Sequence, residues 1–190
     1  AIFCIVPAQH AEYYGFWTSV FFRSVFNACM RRMPDERTLP CYILFDEFAH
    51  ATIPSFVSVA NTIRGYKVSL SIVLQSIAQL SARYGHDYAQ SIQGGFNTYL
   101  TYSGADPQTA QLFETVAGRV IETRKDKIED ITHQRYEYTL LNADAVRRIG
   151  DSQAVMVSTN KNPCLLETRP YFADRRLSRI PARFGQAYLN

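Results

Sequence analysis

Short apolar runs alternate with longer segments of helical periodicity along most of this sequence. Uncharged runs of this length are typical of strands buried in a parallel sheet, and we predict strands at residues 2–6, 41–45, 68–74 and 98–102. Two further short strands are predicted at residues 154–158 and 164–168, joined by Asn160-Lys161-Asn162-Pro163. The longer segments predict helices at residues 12–32, 55–66, 76–93, 107–118 and 143–148. Because repeated strand–helix units favour parallel neighbours, the order indicates an α/β chain with a mostly parallel sheet flanked by helices.

The composition is that of a folded globular chain. Hydrophobic residues make up 47% and charged residues 19% of the 190 residues, which excludes an intrinsically disordered chain. The net charge of +3 is too small to indicate a nucleic-acid-binding protein by itself. The four cysteines form no Cys-x-x-Cys pair, so we interpret them as small buried side chains in a reducing compartment.

No part of the sequence predicts a membrane span or a signal peptide. The longest nearly uncharged segment, residues 13–22, is too short to cross a bilayer and is followed by Arg23. The chain begins at Ala1, without Met, inside an apolar run. We therefore expect a soluble fragment of a longer protein.

The character of the sequence changes after Gly118. A highly charged stretch with alternating signs predicts an exposed hairpin or loop at about residues 119–140. Residues 175–190 carry four arginines, at positions 175, 176, 179 and 183. Such a tail can contact phosphates but is more often a solvated end. We predict one domain at residues 1–174 and an Arg-rich tail at residues 175–190.

Two adjacent carboxylates, Asp46 and Glu47, follow the apolar strand predicted at residues 41–45. Ligands of open α/β sheets bind at the carboxyl ends of the strands. A carboxylate there can hold a hydrated Mg²⁺ ion beside substrate phosphates, and a second one can accept a proton from an attacking water. This is the form of a Walker B motif, although an Asp after a strand also fits a helix cap.

Two further polar residues border the next predicted strand. Gln75 follows it and has the chemistry to hydrogen-bond a γ-phosphate or to orient water; alternatively, it caps the following helix. Arg64 precedes the strand at a helix end, where it can project toward the nucleotide of a neighbouring subunit. For Arg64 alone, a cation that offsets the helix dipole is the simpler interpretation.

Other chemistry has little support in the sequence. The four histidines form no i, i+3 or i, i+4 pair, which argues against a zinc site, and no Gly-x-Ser-x-Gly of a serine hydrolase occurs. Trp17 and its phenylalanine neighbours predict core packing, with a partner surface as the alternative.

An ordered series of short motifs resembles the TraG/TraD family of type IV secretion coupling proteins. The resemblance covers residues 2–171, and the series is far more specific than any one motif. Its main members are Ile43-Leu44-Phe45-Asp46-Glu47-Phe48-Ala49, Arg64-Gly65-Tyr66, Leu74-Gln75-Ser76, Gln79-Leu80, Leu141-Asn142, Val146-Arg147-Arg148 and Pro170-Tyr171.

The resemblance implies a RecA-like P-loop NTPase core. Proteins of this family are hexameric ATPases at the cytoplasmic face of the bacterial inner membrane, and they link the relaxosome to the secretion channel. By the resemblance, the parent protein uses ATP and Mg²⁺ to recruit and translocate DNA, expected to be single-stranded, or a nucleoprotein. There are two alternatives. One is a related FtsK-like or HerA-like DNA motor, and the other is a non-catalytic docking module for relaxosome or effector proteins.

The same resemblance implies a role for each candidate residue. Asp46 binds the nucleotide's Mg²⁺ through water, and Glu47 is the catalytic base. Gln75 senses the γ-phosphate, and Arg64 is the arginine finger. The family's DNA channel does not indicate which residues of this chain contact DNA.

The sequence departs from the family pattern in lacking the Walker A loop. No Gly-x-x-x-x-Gly-Lys-[Ser/Thr] occurs, and Gly94-Gly95 is not followed by Lys. In this family the loop lies upstream, so we expect the isolated fragment to hold half of a nucleotide site. Such a fragment should bind ATP weakly and hydrolyse it negligibly.

Overall fold

The computed structural model describes residues 1–124 and 134–180. The chain divides into two compact units, Ala1–Asn97 and Thr98–Asn190. The predicted boundary between residues 174 and 175 stays a prediction. No helix of the described part is long and apolar enough to span a membrane.

Two parallel strands form the sheet of the first unit. Strand β1 (Cys41–Phe45) pairs with β2 (Val68–Ile72), and Cys41 lies opposite Val68 while Phe45 lies opposite Ile72. The crossover between them contains helix α2 (Phe56–Thr62) and a 3₁₀ turn at Ile63–Tyr66. Both strands and their parallel order confirm the prediction from alternating strands and helices.

Three further helices complete the first unit: α1 (Ala11–Cys29), α3 (Ile77–Tyr84) and α4 (His86–Gly94). The single helix predicted at residues 76–93 is wrong, since Gly85 separates α3 from α4. Gly85 has φ +81°, which an α-helix does not accommodate. Ser76 caps α3 by accepting a hydrogen bond from the backbone N–H of Ala78 at 3.2 Å.

Aromatic rings dominate the core of the first unit. Phe22 of α1 packs on Phe45 of β1, with ring centroids 4.2 Å apart. Phe48 and Phe56 pack at 4.4 Å and are 3% and 1% exposed. The core therefore lies between α1, the two strands and the segment that follows β1.

Helix α1 contributes only one face to this core. Phe26 is buried, whereas Phe16 and Trp17 on another face are 68% and 65% exposed. The prediction that Trp17 and its neighbours pack in the core is wrong for the described residues. One helix face turns toward the sheet, and no described element covers the remaining aromatic residues.

The apolar run at residues 2–6 is not a strand, contrary to the prediction. Ile2 and Ile5 are 85% and 74% exposed. An apolar run becomes a buried strand only where a sheet receives it, and the described parallel sheet consists of β1 and β2.

The second unit is built on an antiparallel sheet. Strands β3 (Thr98–Tyr102), β6 (Gln153–Ser158) and β7 (Cys164–Glu167) lie in the order β3-β6-β7. The predicted parallel order is therefore found for β1 and β2 only among the described strands. The short connection from β6 to β7 allows only an antiparallel pair, because a parallel pair needs a long crossover.

Two helices pack on one face of this sheet. They are α5 (Pro107–Ala117), which Asp106 caps, and α6 (Ala143–Arg147). Ala110, Phe113 and Val146 of these helices form a buried cluster with Val155 and Val157 of β6.

The second unit also contains a charged hairpin. Strands β4 (Arg119–Arg124) and β5 (Gln134–Thr139) pair antiparallel, and Arg119 forms an exposed ion pair with Glu137 at 3.2 Å. The tip between them, residues 125–133, lies outside the described residues. So do Arg183 and the rest of the tail beyond residue 180.

Candidate active site

The ends of β1 and β2 meet at one edge of the parallel sheet. The backbone N–H of Val73 donates to the carbonyl of Phe45 at 2.8 Å, and the carbonyl of Val73 accepts from the N–H of Phe48 at 3.0 Å. Val73 thus bonds the chain on both sides of Asp46 and Glu47. The two carboxylates are carried on a turn directly beside the segment that leads to Gln75.

Glu47 has a strained backbone. Its φ and ψ are both 51°, the left-handed helical region, which costs a residue with a side chain about 1–2 kcal/mol. Strain of this kind persists where surrounding structure imposes it, and it concentrates at functional sites. The side chains of Asp46 and Glu47 are both exposed, so water, a metal ion or a phosphate can reach them.

Phe48 anchors this turn in the core. Its ring stacks on that of Tyr84 with centroids 5.8 Å apart and planes 3° apart, and it meets Phe45 edge to face at 5.3 Å. Phe48 is 3% exposed, and close packing around its ring holds this end of the turn in place. The buried ring of Phe48 and the Val73 hydrogen bonds together impose the backbone of Glu47.

Helix α3 holds the segment that follows the turn. The Arg83 Nε–H donates to the carbonyl of Ala49 at 2.6 Å. The Tyr84 hydroxyl accepts from the N–H of Ile53 at 3.0 Å. Burial raises the pKa of Tyr84 above its usual value, so the phenol is neutral at physiological pH.

Gln75 is exposed at the same edge, at the start of α3. Its N–H donates to Oε1 of Gln79 at 3.1 Å, and Nε2 of Gln79 donates to Oε1 of Gln75 at 3.4 Å. Gln75 does not cap the next helix, which was the alternative interpretation, because Ser76 is the N-cap of α3.

Arg64 lies at the opposite edge of the sheet. It is exposed in the 3₁₀ turn that precedes β2, whereas the other three candidates follow β1 and β2. The parallel pair β1–β2, about 16 Å long, therefore separates the turn that carries Arg64 from the turn that carries the two carboxylates. Within one chain the structure brings together Asp46, Glu47 and Gln75 but not Arg64.

Three supporting residues of α3 were given no role by the sequence analysis. Gln79 and Arg83 follow Gln75 at steps of four residues, which is the spacing of neighbours on one helix face. This spacing was the sequence signal that could have identified Gln79 and Arg83, and Tyr84 is next to Arg83. The spacing identifies a shared helix face only once α3 is known to begin at Ile77.

The residues at this edge suit a magnesium ion that is shared with a nucleotide. Mg²⁺ prefers oxygen ligands and commonly takes one or two carboxylates, several waters and substrate phosphates. Asp46 offers such an oxygen on an accessible turn. No group of three or more His, Cys, Asp or Glu in the described residues is arranged as a metal cage, and this mode of binding does not need one.

A family model described as "Type IV secretory system Conjugative DNA transfer" matches residues 1–188. The VirD4 protein of Rhizobium rhizogenes is 24% identical over 172 residues, which is 85% of this chain and 26% of that protein. The chain therefore spans about a quarter of the length of that curated relative.

Solved structures of conjugative coupling proteins share the fold. The unbound TrwBdeltaN70 matches with a TM-score of 0.73 and 17% identity, over 85% of this chain and 38% of that one. TrwB in complex with ADP and Mg²⁺ matches with a TM-score of 0.72 and 16% identity, over 86% of this chain and 38% of that one. The predicted α/β, RecA-like fold is confirmed.

Proposed function

Because this chain belongs to the type IV secretory system conjugative DNA transfer family, as its motifs predicted, we propose that it forms part of a coupling protein that hydrolyses ATP to move DNA toward a secretion channel. The observation that carries the proposal is the Val73 bridge, since it sets Asp46 and Glu47 beside the segment leading to Gln75. Ligand sites of open α/β sheets lie at this edge.

Each residue of the edge has one chemical task in the proposal. Asp46 holds Mg²⁺ through water, and the ion, when bound, neutralises phosphate charge. Glu47 accepts the proton of the attacking water, and the amide of Gln75 donates a hydrogen bond to the γ-phosphate. The complex of the related TrwB with ADP and Mg²⁺ supports a nucleotide and a metal at this fold.

The phosphate-binding loop is not among these 190 residues. Backbone N–H groups and a Lys of such a loop cradle the phosphates in P-loop proteins. We propose that another part of the full-length protein supplies it. The isolated chain should therefore show negligible ATP turnover, and robust turnover would contradict this proposal.

The proposed partners follow from the family. They are single-stranded DNA, relaxosome proteins and components of the secretion channel, and the proposed assembly is a hexamer at the cytoplasmic face of the inner membrane. The family's place in the type IV secretory system and in conjugative DNA transfer supports DNA and the secretion system as partners.

The test is ATP hydrolysis by the full-length protein with and without single-stranded DNA. We expect DNA to stimulate hydrolysis. A failure to hydrolyse ATP under any condition would instead favour a docking module, for which the exposed aromatic face of α1, around Phe16 and Trp17, offers a surface.

We further propose that Arg64 acts on the nucleotide of a neighbouring subunit, because it lies at the edge away from its own carboxylates. Arg64→Ala and Glu47→Gln should each lower turnover at least about tenfold when assembled alone. Mixing the two variants in equal amounts should restore about a quarter of the wild-type turnover. In a random assembly, about a quarter of the interfaces join an intact Glu47 of one subunit to an intact Arg64 of its neighbour. The measurement is ATP turnover against mixing ratio.

The matched control for this experiment is Arg37→Ala. Arg37 is an exposed arginine in the loop that precedes β1, at the same edge as Arg64. Its loss should leave turnover within about twofold, as expected for a surface charge. Mixtures that stay inactive at all ratios would exclude a role for Arg64 between subunits.

A further inference from the structure

The side-chain amide of Gln79 contacts Gln75 at two points. Its Oε1 lies 3.1 Å from the backbone nitrogen of Gln75, and its Nε2 lies 3.4 Å from the side-chain Oε1 of Gln75. The two amides therefore form a closed pair across the first turn of α3.

Hydrogen-bond chemistry fixes the orientation of both amides. A backbone N–H only donates, so the atom of Gln79 that faces it is the carbonyl oxygen. The other end of the Gln79 amide is then the NH₂ group, which only donates. It requires an acceptor, and Oε1 of Gln75 supplies one. The NH₂ group of Gln75 consequently points away from Gln79.

Helix α3 gives this pair a rigid base. Leu80, next to Gln79, is 1% exposed. Farther along the helix, Arg83 and Tyr84 hold the segment after the carboxylate turn through Ala49 and Ile53. The same helix thus supports Gln75 and the segment that follows Glu47, and it fixes the backbone from which the Gln79 side chain extends.

We propose that Gln79 is a positioning residue, which orients the amide of Gln75 so that its NH₂ group is presented as the donor to the γ-phosphate. This inference rests on the proposed function, since it concerns the same nucleotide site. Without Gln79, the Gln75 amide rotates freely and presents its oxygen for part of the time. An oxygen there repels the phosphate instead of donating to it.

The test is a double-mutant cycle of Gln75→Ala and Gln79→Glu in the full-length protein. Glu has nearly the same shape as Gln and still accepts from the Gln75 N–H, but its second oxygen favours the flipped amide. We expect Gln79→Glu to lower kcat about five- to tenfold, the effect of one neutral hydrogen bond. The KM for ATP and the Tm should stay unchanged. In the Gln75→Ala background, Gln79→Glu should have no further effect.

The control is Gln90→Glu, which makes the same charge change on the exposed face of α4 and should leave kcat unaltered. An equal loss of kcat from Gln79→Glu in both backgrounds would overturn the proposal, because the new charge would then act without Gln75. An unchanged kcat beside an impaired Gln75→Ala variant would also overturn it, while leaving the proposed function intact. A Gln75→Ala variant of normal activity would remove both the role of Gln75 and that of Gln79. The proposed function itself is tested separately, by ATP hydrolysis of the full-length protein and by its loss in Glu47→Gln.

Discussion

Replacing Glu47 with Gln in the full-length protein should lower ATP turnover by about 10²–10⁴-fold, the usual contribution of a general base. The amide has nearly the same shape as the carboxylate but cannot accept the proton of an attacking water. Affinity for ATP should be unchanged, because Asp46 and the phosphate-binding loop are intact. The measurement is steady-state turnover with single-stranded DNA present, together with nucleotide binding by calorimetry.

The control for Glu47→Gln is Glu36→Gln. Glu36 is exposed in the loop before β1, at the other end of that strand from Glu47. Its replacement should leave ATP turnover unchanged. Turnover that is equal in wild type and Glu47→Gln would refute the assignment of the base. The carboxylates would then have a structural role, and the docking interpretation would gain support.

The sequence was sufficient for the local features of the site. Strand β1 is a short apolar run followed by two carboxylates, and β2 is a second run that leads to Gln75. Local periodicity predicts such strands, and the short-range rule that consecutive strands with a helical crossover lie parallel brings their ends together. These steps need no knowledge of distant contacts.

Predictions that depended on distant neighbours failed. Residues 2–6 are as apolar as a buried strand, and Trp17 is a residue type that usually packs in a core. Ile2 and Trp17 are nevertheless largely exposed. Hydrophobicity states what a residue favours, whereas burial depends on which other element covers it. The break at Gly85 was missed for a different reason, since an isolated Gly is tolerated within many helices.

The supporting geometry of the site was also beyond the sequence. The left-handed backbone of Glu47 results from tertiary constraints at Phe48 and Val73, because a glutamate has no local preference for that conformation. The Gln75–Gln79 pair depends on where α3 begins. The position of Arg64, in contrast, follows from chain order once β1 and β2 are known to be parallel.

Truncating Phe48 should strongly destabilise the first unit. Phe48→Ala removes a ring that is 3% exposed and packs on Phe45, Phe56 and Tyr84. Loss of such a ring costs about 3–5 kcal/mol in the free energy of unfolding, a large share of the roughly 5–15 kcal/mol that stabilises a typical domain. Denaturant titration followed by far-UV circular dichroism measures the loss.

The matched control is Phe16→Ala, the same substitution at a ring that is 68% exposed. We expect it to change the free energy of unfolding by about 0.5 kcal/mol or less, as exposed positions usually do. Phe48→Leu should recover part of the loss, because it refills most of the cavity. If Phe48→Ala were no more destabilising than Phe16→Ala, the core would not anchor the carboxylate turn. The Val73 hydrogen bonds alone would then have to impose the left-handed backbone of Glu47.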